Sequence, residues 1–213
     1  MKNFLVLDDF TPPSLQDLIE TVLLWNDKVS WGFRDQTSGV DEIDPNNPNI
    51  KENCQWQHDI FAYDRGILSE YFELLKSNLW FAEYATGARL KDLQRIKANM
   101  LVKDVESKGF YHPPHIDLVN DNSYSMVYYV HDRDGETILF KNRLKQAFAQ
   151  DPNKQNYLAH DLEEIARIKP KKGRAVIFHS NRFHASSNPI VNERRVIINH
   201  VFTSDDDFLS QNT

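Results

Sequence analysis

The chain has 213 residues and 24.9 kDa, enough for one domain with its own core. A single cysteine, Cys54, and no Asn-x-Ser/Thr sequon leave no material for a disulfide framework or secretory glycosylation. With 25 Lys and Arg against 31 Asp and Glu, the net charge of -6 has the wrong sign for a phosphate-neutralising protein, and no nucleic-acid partner is expected.

No apolar run approaches the roughly 18 residues of a membrane span. The N-terminal Met1-Lys2-Asn3-Phe4-Leu5-Val6-Leu7-Asp8-Asp9 turns acidic before a signal-peptide core could form. The expectation is a cytoplasmic protein without a membrane partner.

After a Pro12-Pro13-Ser14 start, Leu15, Leu18, Ile19, Val22 and Leu23 recur on one helical face and predict a packing helix. Residues 31–57 hold Gly32, Gly39, Pro45, Pro48 and many Asn and Asp, and read as loop. A second helix is predicted from about Ile67 to Ala85, with Leu68, Tyr71, Phe72, Leu75 and Leu79 inward. Trp25, Trp31, Trp56 and Trp80 read as core filling.

From Ile96 the pattern changes to short β-rich runs: Ala98 to Val102, Tyr124 to Val130, Thr137 to Phe140, Ala175 to Phe178 and Arg195 to Phe202. Such strands predict an antiparallel sandwich or barrel. Between them, Leu158, Leu162, Ile165 and Ala166 sit at helical intervals, so Leu144 to Ile168 is expected to be an inserted helix. Lys169-Pro170-Lys171-Lys172-Gly173-Arg174 reads as a turn into a strand, and Asp205-Asp206-Asp207 as a solvated tail. The expected organisation is one domain over 1–213: a helical support at 1–95 and a β core at 96–203, with a helical insertion at about 141–169.

The candidate chemistry begins at His115-Ile116-Asp117. Side chains two apart on a strand share a face, so imidazole and carboxylate can reach one ion. This composition yields roughly 0.75 such triplets by chance, so the weight rests on context. His184 follows the strand Gly173 to Phe178 and the polar turn Ser180-Asn181-Arg182. Two imidazoles and one carboxylate on one face of an octahedral ion suit ferrous iron, whereas structural zinc would want a closed set with thiolates. His112 and His179 are competing ligands. Arg194-Arg195 enters a buried strand and needs a counter-charge, which a bound dicarboxylate would supply. Tyr128 and Tyr129 alternate, so one of them faces the pocket. His58, His160 and His200 read as structural.

The ordered set His115-x-Asp117, Tyr128-Tyr129-Val130, Asp134-Gly135-Glu136-Thr137, Gly173 to Phe178, His184 and Arg195-x-x-x-Asn199 resembles the iron(II)/2-oxoglutarate-dependent oxygenases of the prolyl 4-hydroxylase type. It looks especially like uncharacterised members found in phages of marine bacteria, for which a host cytoplasm would be the location. The resemblance covers about Arg95 to Phe202, and Phe4 to Phe10 is similar to the family's lead-in. It implies a double-stranded β-helix, a jelly roll of cupin-like form, with His115, Asp117 and His184 binding Fe(II).

By the same resemblance 2-oxoglutarate chelates the iron and meets Arg195 and the Tyr129 hydroxyl with its far carboxylate; O2 is the other co-substrate and ascorbate an accessory. The implied reaction hydroxylates an unactivated C–H of a peptide or small molecule as 2-oxoglutarate becomes succinate and CO2. Arg194 is the alternative to Arg195; Arg195 is favoured because Pro189 and Asn199 then fall at their usual offsets and Asn199 shares its strand face. His131 stands where an Asn often follows the Tyr-Leu pair, and Asp134-Gly135 replaces the common Gly-Gly. The competing readings are a non-catalytic jelly-roll binding module that retains the metal pocket, and a cupin-like metal enzyme without 2-oxoglutarate.

Overall fold

The computed structural model of the chain describes residues 2–37, 49–144 and 162–209. In chain order the elements are β1 (Phe4–Leu7), α1 (Pro13–Trp25), β2 (Gly32–Arg34), β3 (Gln55–Ala62), β4 (Gly66–Ile67), α2 (Phe72–Thr86), β5 (Asp92–Val102), β6 (Ser123–Tyr129), β7 (Thr137–Arg143), β8 (Glu164–Ile168), β9 (Ala175–His179), β10 (Arg182–Ser186) and β11 (Arg194–Thr203). The larger sheet runs β1-β9-β6-β11-β5-β3-β2, with β4 beside β3, and the smaller runs β10-β7-β8. Every named strand pair is antiparallel. The expected jelly roll is what forms.

Alternation along the central strands divides the molecule into two interiors. Ile96 and Ala98 of β5, Met126 and Tyr128 of β6, and Val196 and Ile198 of β11 face one way and join Ile19 and Leu23 of α1 and Leu75 and Leu79 of α2 in the main core. Burying side chains of this size contributes about 1.5–3 kcal/mol each. On the opposite face Val127, Tyr129, Val176, Phe178 and Ile197 meet Leu139 of the smaller sheet. Beside that second layer lies the cleft described below. Helix α2 stops at Gly87, whose φ of 71° lets its N–H reach the Glu83 carbonyl at 2.8 Å.

Both expected helices form. The second starts later than predicted, at Phe72, so Leu68 and Tyr71 precede it, and Leu68 is exposed. Leu18 of the first also faces solvent. Residues 31–57 are not all loop: β2 and the start of β3 lie there. In β3, Gln55, Gln57 and Asp59 alternate with Trp56, His58 and Ile60, and that polar face concealed a strand.

The expected helix over Leu144 to Ile168 is corrected at its C-terminal end, where Glu164–Ile168 is strand β8 and Ala166 pairs with Leu139. Along β7, Ile168 pairs with Thr137, while the β-branched Ile165, at a register shift, packs against the second layer. The rest of that insertion, 145–161 with His160, lies outside the described residues. Trp25 and Trp80 are not core filling, being 71% and 56% exposed; Trp25 ends α1 with the Arg194 guanidinium 5.3 Å from its ring centroid. Behind the acidic run Asp205 to Asp207, Phe208 and Leu209 are buried, so the chain there folds back onto the core.

Candidate active site

His184 sits on β10 and His115 in the extended segment after Pro113-Pro114. The two residues exchange both backbone hydrogen bonds, N–H to carbonyl at 2.9 Å each way, as an isolated antiparallel bridge. Their ring centroids lie 4.4 Å apart. Asp117, two residues on, is anchored by its N–H to the Ser180 carbonyl at 2.9 Å, and its Oδ2 lies 3.5 Å from His184 Nε2. One ligand atom from each of His115, Asp117 and His184 falls within 4.8 Å of the others, a set that could hold a metal ion. His115 to Asp117 is not a strand as expected; a bridge and a bend do the same work.

The protonation states suit a cation. His115 Nδ1 is 3.4 Å from the Pro113 carbonyl and His184 Nδ1 is 3.1 Å from the Arg182 carbonyl. A proton on each Nδ1 leaves each Nε2 with a lone pair. Burial, then the neighbouring His184, pushes His115 down to about 3, and burial lowers His184 as well. Burial alone would raise the Asp117 carboxyl, but Arg95, helped by the two histidines, holds it below its ordinary range. At neutral pH the cluster is two neutral imidazoles and one carboxylate, nearly enclosed by protein. A divalent cation is the group that fits those donors.

Asp117 is held from three sides. Arg95 donates to Oδ1, while Ser125 Oγ donates to Oδ2 at 2.6 Å and Asn199 Nδ2 donates to it at 3.2 Å. The sequence reading missed Arg95 and Ser125. Their signal was present: Arg95, Lys97 and Asn99 alternate with the apolar Ile96, Ala98 and Met100, and a polar face turned toward a second layer marks a cleft.

Arg195 and Arg194 point opposite ways, as alternation requires. Arg195 is 1% exposed, donates to Thr137 Oγ1 at 2.7 Å, and has no ion pair among the described residues. Its guanidinium carbon is 5.7 Å from the Tyr129 ring centroid, and its Nε is buried without a partner. The Tyr129 hydroxyl faces Arg195 and Thr137, buried and likewise unpaired. Arg194 instead donates to the Leu24 carbonyl at 3.0 Å. Arg195, Thr137, Asn199 and the His-Asp-His cluster line one cleft.

The turn before β7 fixes this arginine. Gly135 has φ of 89°, and a Cβ there would stand 2.8 Å from the Ser187 carbonyl oxygen and 3.1 Å from Arg195 Cδ, so only glycine fits. The Asp134 carboxylate accepts N–H bonds from Ile190, Val191 and Asn192 at 2.6, 2.8 and 2.9 Å, tying the loop before β11. His131 Nε2 accepts from the Val196 N–H at 3.0 Å.

The competing histidines stand elsewhere. His179 stacks on Tyr124 with ring centroids 4.9 Å apart. His112 lines the cleft but is bonded through Nε2 to Asn188 Oδ1 at 2.5 Å. His58 and His200 are structural, the former between Ser30 and Ser69 and the latter on the Leu75 carbonyl.

Residues 100–203 match the model of the 2OG-Fe(II) oxygenase superfamily. Those residues are just under half of the 213, and over them the chain is similar to that superfamily. Among solved structures, the protein is similar to a prolyl hydroxylase from Trichoplax adhaerens in complex with a hypoxia inducible factor peptide fragment. That match has 15% identity and a TM-score of 0.55 and covers 95% of this chain and 84% of that one. A Pseudomonas putida prolyl-4-hydroxylase matches at 14% identity and a TM-score of 0.53, over 95% of this chain and 92% of the other. The epimerase SnoN, in complex with Fe3+, alpha ketoglutarate and nogalamycin RO, matches at 10% identity and a TM-score of 0.56, over 95% and 79%. No curated protein sequence matches the chain. No helix among its described residues is long and apolar enough to cross a membrane.

Proposed function

We propose that this protein is an oxygenase that hydroxylates an unactivated C–H bond of a small molecule or peptide, with 2-oxoglutarate and O2 as co-substrates. The observation that carries the reading is a buried arginine without an acidic partner among the described residues, in the same cleft as the His-Asp-His cluster. An uncompensated buried cation is costly, and a carboxylate of the co-substrate is the counter-charge the cleft lacks.

His115, Asp117 and His184 would hold the iron. Bound together, the iron, 2-oxoglutarate and O2 supply the oxidising power, as 2-oxoglutarate passes to succinate and CO2. The chain's own residues bind and orient. Arg195 takes the far carboxylate of 2-oxoglutarate in its planar fork, and the Tyr129 hydroxyl, its phenol pushed up by burial and so kept protonated, donates a second bond. Arg95, Ser125 and Asn199 fix the Asp117 carboxylate, and the two backbone carbonyls fix the histidine tautomers.

Anaerobic titration of Fe(II)-loaded protein with 2-oxoglutarate tests this. A visible charge-transfer band is expected, and Arg195→Ala should weaken 2-oxoglutarate binding about tenfold or more, since truncating a buried charge partner costs about 2–5 kcal/mol. Arg194→Ala, which alters only the Trp25 contact and a helix-end carbonyl, should not. Absence of the band would leave a binding module, and an unchanged affinity in Arg195→Ala would leave a metal enzyme of another kind.

A further inference from the structure

Beyond the metal cluster and Arg195, the cleft holds three side chains whose polar groups are unpaired. Lys97 on β5 lines the cleft between Asn199 of β11 and Asp59 of β3, its register partners. Asp59 is engaged elsewhere, with Arg65 at 3.6 Å, Arg34 at 3.9 Å and the Gln57 amide at 2.5 Å. The Lys97 ammonium makes no hydrogen bond or ion pair among the described residues. Arg95, its neighbour on the same face, is committed to Asp117.

The other two are acceptors, and their identity is fixed by their neighbours. Gln55 Nε2 donates to the Thr37 carbonyl at 2.7 Å, so Gln55 Oε1 is the acceptor for Asn99 Nδ2 at 2.6 Å. Asn99 Oδ1 is then the free end, buried and unpartnered. By the same reasoning, Asn188 Nδ2 donates to the Val102 carbonyl at 2.8 Å, so Asn188 Oδ1 accepts from His112 Nε2–H. His112 Nδ1 carries a lone pair and has no partner, in a side chain 3% exposed. Buried acceptors are seldom left empty, and a molecule bound in the cleft that both line would supply donors to them.

From one free ammonium and two unfilled acceptors lining one cleft, Lys97 and Asn99 from β5 and His112 from the segment bonded to β10, we propose that the substrate is a free amino acid, its carboxylate held by Lys97 and its N–H donors by Asn99 Oδ1 and His112 Nδ1. This rests on the hydroxylase reading and names the substrate class of the same site. A phosphate is a poorer complement: a dianion would require several donors, and here one cation stands among acceptors. The residues act in binding, and the bond broken remains a substrate C–H.

Calorimetry with the metal- and 2-oxoglutarate-loaded protein, using free L-amino acids, their carboxamides and their N-acetyl forms as probes, tests the assignment. At least one free amino acid should bind about tenfold or more tighter than its carboxamide. Lys97→Met should bring that ratio below about threefold, and Lys97→Arg should restore part of it. N-acetylation should weaken binding in wild type, and less so in Asn99→Leu. The charge-transfer titration with 2-oxoglutarate should shift by no more than about twofold in the Lys97 variants. That titration reads the co-substrate assignment separately: loss of its band in wild type would remove the hydroxylase reading, whereas the acid-to-amide ratio tests Lys97. No free amino acid preferred over its amide, or a preference that survives Lys97→Met, would overturn the proposal.

Discussion

Replacing Asp134 by alanine removes a carboxylate from three backbone N–H groups and tests whether the loop before β11 is held in place from a distance. Burial alone would raise the Asp134 carboxyl, yet the N–H groups of Asn192, Val191 and Ile190 outweigh it and hold the group below its ordinary range. Hydrogen bonds to a charged group contribute about 1.5–3 kcal/mol each, but this turn is half-buried and water can replace part of that. A net loss of about 1 kcal/mol per bond gives about 3 kcal/mol, and with about 2–4 °C per kcal/mol at this chain length the melting temperature should fall by about 6–12 °C. Asp134→Asn keeps one carbonyl acceptor and should lose about half as much. Because Gly135 packs on Arg195, the alanine variant should also bind 2-oxoglutarate more weakly. Urea unfolding and the anaerobic charge-transfer titration measure the two effects. A stability within about 0.5 kcal/mol of wild type, the ordinary range for a surface substitution, would refute the reasoning.

Arg95→Met should weaken Fe(II) or Co(II) binding about 10–100-fold, since it removes a donor that orients a ligating carboxylate, as equilibrium titration with a competing chelator would show. His200 supplies a pH signature. Burial holds it neutral, down to about 4, on the Leu75 carbonyl, whereas the unfolded chain takes its proton near 6.5. The unfolded state binds more protons between those values, so the contribution is full above pH 6.5 and is lost as pH falls toward 4. From the two values, about 2 kcal/mol should disappear between pH 7.5 and pH 5, and His200→Phe should show that much less pH dependence in urea unfolding. Equal slopes in the two proteins would remove His200 from the account.

What could be read from the chain depended on whether one element or two had to agree. The runs around Tyr128, Val176 and Ile197 are buried on both faces, so their apolar character alone declared them strands. β3 carries polar side chains on one face, and its Gln55, Gln57 and Asp59 look like loop chemistry until β5 is placed beside them. The same cause hid Arg95, Lys97 and Asn99: a polar stripe is ordinary on a solvent-facing strand and becomes a cleft wall only when a second layer covers it. His115, Asp117 and His184 were legible as an ordered series, but their convergence depends on a β-bridge that no local pattern records. That Arg195 and Arg194 face opposite ways was legible, because strand alternation sends adjacent side chains to opposite faces.

The backbone bridge between His115 and His184 means that the imidazoles are spaced by main-chain hydrogen bonds before any ion arrives. Chelation therefore draws little on conformational order, in contrast to small zinc modules whose fold is created by their metal. An empty pocket of this design keeps its shape, so ions of similar radius compete for it on ligand preference and on cellular supply. Were iron the ion held there, its occupancy would be decided by what the surroundings offer as much as by the polypeptide.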